Sequence, residues 1–242
     1  LDTDLRRALD RDEMELHYQP IISMRDRTIS GFEALLRWSH RSRGVISPNE
    51  FIPLAEETGL IYDLGQWVLG KACKQMAAWN KSKKKEDQLE ISINLSSRQF
   101  SDPNLVEGIV ENIEKSGFDA EFLKIEITES ALMQNAQRSV SMLNQLKDLN
   151  IKVCVDDFGT GYSSLSYLHT FPIDTLKIDR SFVHDMSRNF RNMEIIRTII
   201  MLAHNLKLDV IAEGVETGEQ DAQLSALGCQ FAQGFYFSRP IN

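Results

Sequence analysis

The sequence predicts an α/β fold, a single TIM-like (β/α)8 barrel with one antiparallel strand near its N-terminus. Three observations predict it. Eight short apolar runs alternate with stretches of helical periodicity. Most links are short, so successive strands must pair in parallel through helical crossovers. The length, 242 residues, is the usual size of one barrel domain.

The elements follow in order. Residues 1–14 read as the end of a linker helix from an upstream domain, because the chain starts at Leu1 and not at Met. The first run, LHYQPII (16–22), is separated from the second, TISGFEALLRW (28–38), only by SMRDR (23–27). Such a link suits a hairpin and not a crossover, so this pair is expected to be antiparallel. DLGQWVLGKACKQMAAWN (63–80) carries apolar residues at helical spacing, and NKSKKKEDQ (80–88) reads as a solvated loop. The remaining strand runs are LEISINL (89–95), LKIEIT (123–128), IKVCVD (151–156), DTLKID (174–179), LDVIAE (208–213) and QFAQGFYF (230–237). Helical stretches at 104–117, 139–150, 192–206 and 219–228 lie between them, and Gly117 and Gly228 stand where glycine ends a helix.

Composition narrows the function. Hydrophobic content is 42% and charged content 26%, enough for a large core. No apolar run approaches the roughly 20 residues that span a bilayer, so no membrane contact is expected of this segment. A net charge of −8 argues against a nucleic-acid polymer as partner, which requires a basic face. Cys73, Cys154 and Cys229 form neither a zinc motif nor a disulfide framework, which suits a reducing, cytoplasmic setting.

The polar residues near the strand ends carry the chemistry. They are Glu33 with Arg37, Asn94, Glu126 with Glu129, Asp156 with Asp157, Lys177 with Asp179, Glu213 with Glu216, and Gln233. In a barrel these ends open onto one face. Five carboxylates (Glu33, Glu126, Asp156, Asp157, Glu213) would then converge with a single lysine. Clustered buried carboxylates must protonate, pair or hold a cation. An all-oxygen site favours Mg²⁺ or Mn²⁺ over zinc. Adjacent aspartates can hold two ions, and two ions suit attack on a phosphodiester. Each residue alone has an ordinary reading: a strand-end acid caps a helix, Asp-Asp opens an Asx turn, and GTG is a weak phosphate-loop signal. The joint pattern over successive strand ends is what points to chemistry.

These residues carry a resemblance. EALLR (33–37) resembles the signature of the EAL-domain cyclic di-GMP phosphodiesterases. So do LHYQPI (16–21), NLS (94–96), EITES (126–130), DDFGTGYSSLSYL (156–168), LKID (176–179), AEGVE (212–216) and GFYFSRP (234–240). The resemblance therefore covers nearly the whole chain, 1–242. It implies metal ligation by Glu33, Asn94, Glu126, Asp156, Asp157 and Glu213, with two Mg²⁺ or Mn²⁺ ions as cofactors and Ca²⁺ inhibitory. It implies catalytic roles for Lys177 and Glu213 and substrate contacts from Gln19, Arg37 and Gln233. Glu129 matches a residue that anchors the loop after the fifth run, with Thr160, Ser163 or Ser164 as partners. The implied activity is hydrolysis of cyclic di-GMP to linear pGpG, in a homodimer under an upstream regulatory domain. A receptor that binds without cutting is the alternative, and the intact acidic set argues against it. An enolase-type barrel enzyme also ends its strands in acids, but does not account for EALLR and DDFGTGYSSLSYL.

Overall fold

The computed structural model of the chain describes residues 1–161 and 168–242. Its strands are β1 (Met14–Ser23), β2 (Ile29–His40), β3 (Gly44–Ile46), β4 (Glu90–Leu95), β5 (Leu123–Thr128), β6 (Lys152–Phe158), β7 (Thr175–Ile178), β8 (Asp209–Ala212) and β9 (Phe231–Ala232). They are ordered β1-β9-β8-β7-β6-β5-β4-β2-β3, and a further β1–β2 pairing closes the ring. β3 pairs only with β2 and lies outside it, which leaves eight barrel strands. β1 is antiparallel to both neighbours, and every other barrel pairing is parallel. The short first link thus forms the expected hairpin.

Alternation along the strands explains what fills the barrel. Ile91, Ile93 and Leu95, then Leu123, Ile125 and Ile127, then Val153 and Val155 are buried in the main hydrophobic cluster. Their neighbours Glu90, Ser92 and Asn94, Lys124 and Glu126, and Cys154 and Asp156 therefore face the barrel axis. Branched aliphatic side chains usually fill such an interior. Here it is largely polar, and it must find its partners inside the ring.

Three differences from the sequence reading have physical causes. The last strand is only Phe231–Ala232, not the whole of 230–237. After Gln233 the chain turns back, with Phe237 N and Ser238 N donating to Gly234 O and Tyr236 N donating to Val215 O. A helix at Pro48–Thr58 was missed, although Ser47 caps it through Asn49 N, Pro48 occupies its first turn, and Gly59 ends it at φ 79°. The N-terminal helix is Asp2–Ala8, shorter than residues 1–14. Leu5 and Ala8 are buried in a second apolar cluster with Trp38, Phe51, Ala55 and Leu64.

Candidate active site

Lys177, on β7, is fully buried at the centre of the acidic residues. Its Nζ lies 2.6 Å from Glu126 Oε2, 2.7 Å from Glu213 Oε1, 3.1 Å from Glu33 Oε2 and 3.9 Å from Asp156 Oδ1. Glu33 also accepts from Gln233 Nε2 at 2.7 Å and, through its other oxygen, from Asn94 Nδ2 at 2.6 Å. Gln233 Nε2 donates to Gln19 Oε1 at 2.9 Å, and Gln19 Nε2 donates to Ser238 O. Residues from β1, β2, β4, β5 and β7 and from the segments after β8 and β9 are thereby tied into one network.

The two aspartates are placed by an irregularity. β6 pairs with β7 through Val155 opposite Leu176 and then Phe158 opposite Ile178, so β6 holds one extra residue at Asp156–Asp157. Adjacent side chains of a regular strand point to opposite faces, and a bulge re-aims one of them. Asp157 has φ 54°, a sparsely used conformation for a residue with a side chain. Its N–H donates to Asp156 Oδ1 at 2.9 Å. As a result carboxylate oxygens of Asp156, Asp157 and Glu213 lie within 4.8 Å of one another.

The electrostatics follow from counting. Lys177 sees several carboxylates, so despite burial its pKa stands well above the ordinary lysine value. Each carboxylate sees one lysine and several other acids. Burial, opposed by Lys177 but reinforced by Glu33 and Asp156, pushes Glu126 up to about 7. Glu213 is pushed up to about 8 for the same reasons. Burial and the neighbouring Asp156 and Asp179 push Asp157 up to about 6. Glu33 differs: burial raises it, but Lys177, Gln233 and Asn94 outweigh that and hold it below the usual range. Lys177 therefore stays charged, while the surplus negative charge around it is held back by protons.

The residues fit divalent cations. Every candidate ligand is an oxygen donor. Glu126 Oε1 is buried and has no hydrogen-bond partner among the described residues. A buried carboxylate oxygen left without a partner is costly. Asp156, Asp157 and Glu213 offer a three-oxygen cluster. Glu33, Asn94 and Glu126 stand outside that cluster, held to Lys177 and to each other.

A cavity of about 630 Å³ opens over this centre, lined among others by Gln19, Glu33, Arg37, Asp157, Glu213 and Gln233. Arg37 has no carboxylate partner among the described residues; its Nη1 donates only to Leu36 O at 3.0 Å. Glu129 is buried, and its Oε2 accepts from Gly159 N at 3.1 Å. Thr160, expected to serve Glu129, instead donates its hydroxyl to Asp157 O at 2.8 Å. Ser163 and Ser164 lie outside the described residues. The cap of the helix Glu129–Met133 is Thr128, whose hydroxyl accepts from Ala131 N, so the helix is not capped by Glu129.

Sequence reasoning passed over Ser47, Pro48 and Arg180, which also line the cavity. The Ser-Pro pair that starts the helix Pro48–Thr58 was a legible signal. Arg180 had none, because it follows its strand instead of ending it.

Comparison with known proteins agrees with this geometry. The chain is 42% identical over 241 residues to the cyclic di-GMP phosphodiesterase NbdA of Pseudomonas aeruginosa, which covers 100% of this chain and 30% of NbdA. It is 41% identical over 241 residues to the cyclic di-GMP phosphodiesterase PdeR of Escherichia coli, covering 100% of this chain and 36% of PdeR. The chain thus spans about a third of the length of these curated relatives. Among solved structures, the MucR phosphodiesterase in its c-di-GMP complex superposes with a TM-score of 0.95 at 41% identity, covering 99% of this chain and 96% of that one. The FimX EAL domain from Pseudomonas aeruginosa bound to c-di-GMP gives 0.88 at 26% identity, covering 99% and 95%. The EAL domain family model matches residues 2–240, and the chain belongs to that family.

Proposed function

We propose that the chain is a divalent-metal-dependent phosphodiesterase that opens one phosphodiester of cyclic di-GMP to give linear pGpG. The observation that carries this reading is the unmatched charge of the barrel mouth: one buried lysine among Glu33, Glu126, Asp156, Asp157 and Glu213, with a buried glutamate oxygen left unpartnered. The names of NbdA, PdeR and MucR support the substrate.

Glu33, Asn94, Glu126, Asp156, Asp157 and Glu213 are the residues that would hold two Mg²⁺ or Mn²⁺ ions. Such ions supply positive charge against the phosphoryl oxygens and the leaving oxygen. The protein groups divide the remaining work. Lys177 stays protonated, so it cannot take a proton; it orients the attacking water or the phosphate by donating hydrogen bonds. Glu213 lines the cavity, and its carboxylate, once bound cations had displaced its own proton, would accept the proton that water loses. Arg37 is held half-buried, its Nη1 on Leu36 O and no carboxylate paired with it, which suits capture of a phosphate. Gln233 holds Gln19 and Glu33 together, so both glutamines stand ready at the substrate wall. Glu129 braces the start of the Gly loop through Gly159 and so fixes the backbone that aims Asp157. The same resemblance brings a second copy of the chain, an upstream regulatory domain and a cytoplasmic setting into the proposal. No described helix is long and apolar enough to cross a membrane.

The test is incubation of the purified chain with cyclic di-GMP, with products read by mass spectrometry. Linear pGpG should form in Mg²⁺ or Mn²⁺, fall to little in Ca²⁺ and vanish in EDTA. Cyclic di-GMP that is bound but uncut in Mg²⁺ and Mn²⁺ would favour the receptor reading instead.

A further inference from the structure

Arg180 has no assigned part in the site. It follows β7 directly, one residue beyond Asp179, and lines the same cavity as Arg37 and Glu213. Among the described residues its guanidinium makes no hydrogen bond and no ion pair. Its position is nonetheless fixed. Gly214, beside Glu213, has φ +70°, and a Cβ placed there would come within 2.6 Å of Arg180 Cβ. The stem of Arg180 therefore lies against a backbone that only glycine accommodates at such a distance.

Strand order shows where the two arginines without a carboxylate partner stand. From β7 the ring runs β8, β9, β1 to β2 on one side and β6, β5, β4 to β2 on the other. β7 and β2 are thus four steps apart in either direction around an eight-strand ring, that is, opposite each other. Arg37 leaves β2 and Arg180 leaves β7, with the acidic centre between them. Elsewhere in the cavity wall the charged groups are acids: Glu33, Asp157, Asp179, Glu213 and Glu216. An unpaired guanidinium in such a wall faces no repulsion from the carboxylates, yet it is bonded to none of them. A ligand anion would supply the partner it lacks among the described residues.

We propose that Arg180 binds the second phosphate of a cyclic dinucleotide, the one not held by Arg37, so that the two arginines clamp a diphosphate ring across the barrel mouth. This rests on the cyclic di-GMP reading above. Arg180 is exposed and acts on capture, not on the bond that breaks.

Steady-state kinetics of Arg180→Gln on cyclic di-GMP test this. KM should rise about tenfold, as for loss of one charge-assisted hydrogen bond, with kcat within about twofold. The dependence of KM on salt should weaken, because one charge has left the capture surface. Arg180→Lys should recover part of the loss, since it restores the charge without the fork. Melting temperature should not move. Unchanged KM, or a fall in kcat with KM unchanged, would overturn the assignment. If the wild-type chain binds cyclic di-GMP without cutting it, the hydrolase reading fails alone. The Arg180 assignment then stands or falls on Kd, which should rise by the same factor in Arg180→Gln. A wild-type chain that neither binds nor cuts cyclic di-GMP overturns both.

Discussion

The barrel holds two ion networks, one at each end, and they are built on opposite principles. At the N-terminal end of the strands, Glu90 is held between Lys124 and Lys152, and Lys147 pairs with Asp174 at 2.6 Å. Asp174 also accepts from Val153 N at 2.7 Å, and Asp209 lies within reach of the same charges. Three lysines there face three acids. Burial pushes Glu90 up, but Lys124 and Lys152 outweigh it and hold its carboxyl below the usual range. At the C-terminal end one lysine faces five acids, and Glu126, Asp157 and Glu213 are all pushed up. A network that balances itself is complete without a ligand. A network with surplus charge is complete only with one. Each end buries a lysine, Lys124 below and Lys177 above, so the count of partners, and not burial alone, separates scaffold from site.

The contrast breaks most sharply at the two lysine centres. Replacing Lys177 with alanine should lower kcat by about a hundredfold to ten-thousandfold, measured as pGpG formed under saturating cyclic di-GMP. Some substrate affinity should remain through Gln19, Arg37 and bound metal. Near-normal turnover would remove Lys177 from the mechanism. At the other end, Glu90→Ala leaves two lysines without their partner and should cost about 3 kcal/mol of stability. For a chain of this size that lowers Tm by about 6–12 °C, while kcat measured below the transition stays unchanged. A drop in kcat with intact Tm would show that the lower network reaches the chemistry.

Between these lies the loop brace. Glu129→Ala releases Gly159 N and with it the backbone that sets Asp157. The Mg²⁺ concentration for half-maximal activity should rise about tenfold, the loss of one charge-assisted hydrogen bond, with little change in Tm. Wild-type Mg²⁺ dependence would mean that the loop is held by other contacts.

The smallest effect concerns pH in the absence of metal. Glu126 and Glu213 keep protons in the folded chain that the unfolded chain gives up near its ordinary value of 4.5. Their contribution to stability is therefore full below that value and is lost as pH rises through about 7 and about 8. Glu90 has the reverse sign: its contribution is present above the ordinary value of 4.5 and is lost on acidification. Thermal melts in EDTA should thus show Tm falling between pH 6 and 8, and Glu213→Gln should flatten the slope. An equal slope in Glu213→Gln would place the titration elsewhere.

Much of this was legible in the sequence, for reasons that differ by residue. Strand-end acids such as Glu33, Glu126 and Glu213 follow from alternation and strand count alone, because a barrel sends all its strand ends to one face. The antiparallel first pair follows from the shortness of residues 23–27. That Asp156 and Asp157 share one site was expected from their adjacency, but the means was hidden: a bulge and a positive φ at Asp157 belong to the pairing of β6 with β7. The lower network escaped notice because Glu90, Lys124, Lys152 and Asp174 begin strands and look like solvated charges. Only closure of the ring brings them together. Arg180 was missed since its place depends on contact with Gly214, from another strand.

The claim that surplus charge at the mouth waits for a cation is tested most directly by calorimetry of Mn²⁺ binding at pH 7, repeated in buffers of different ionisation enthalpy. Metal ligands must shed their protons, and Glu126 and Glu213 hold protons near that pH. The account predicts saturable binding with release of about one proton per chain, and a smaller release in Glu213→Gln. Binding with no proton released, or no binding at all, would contradict it.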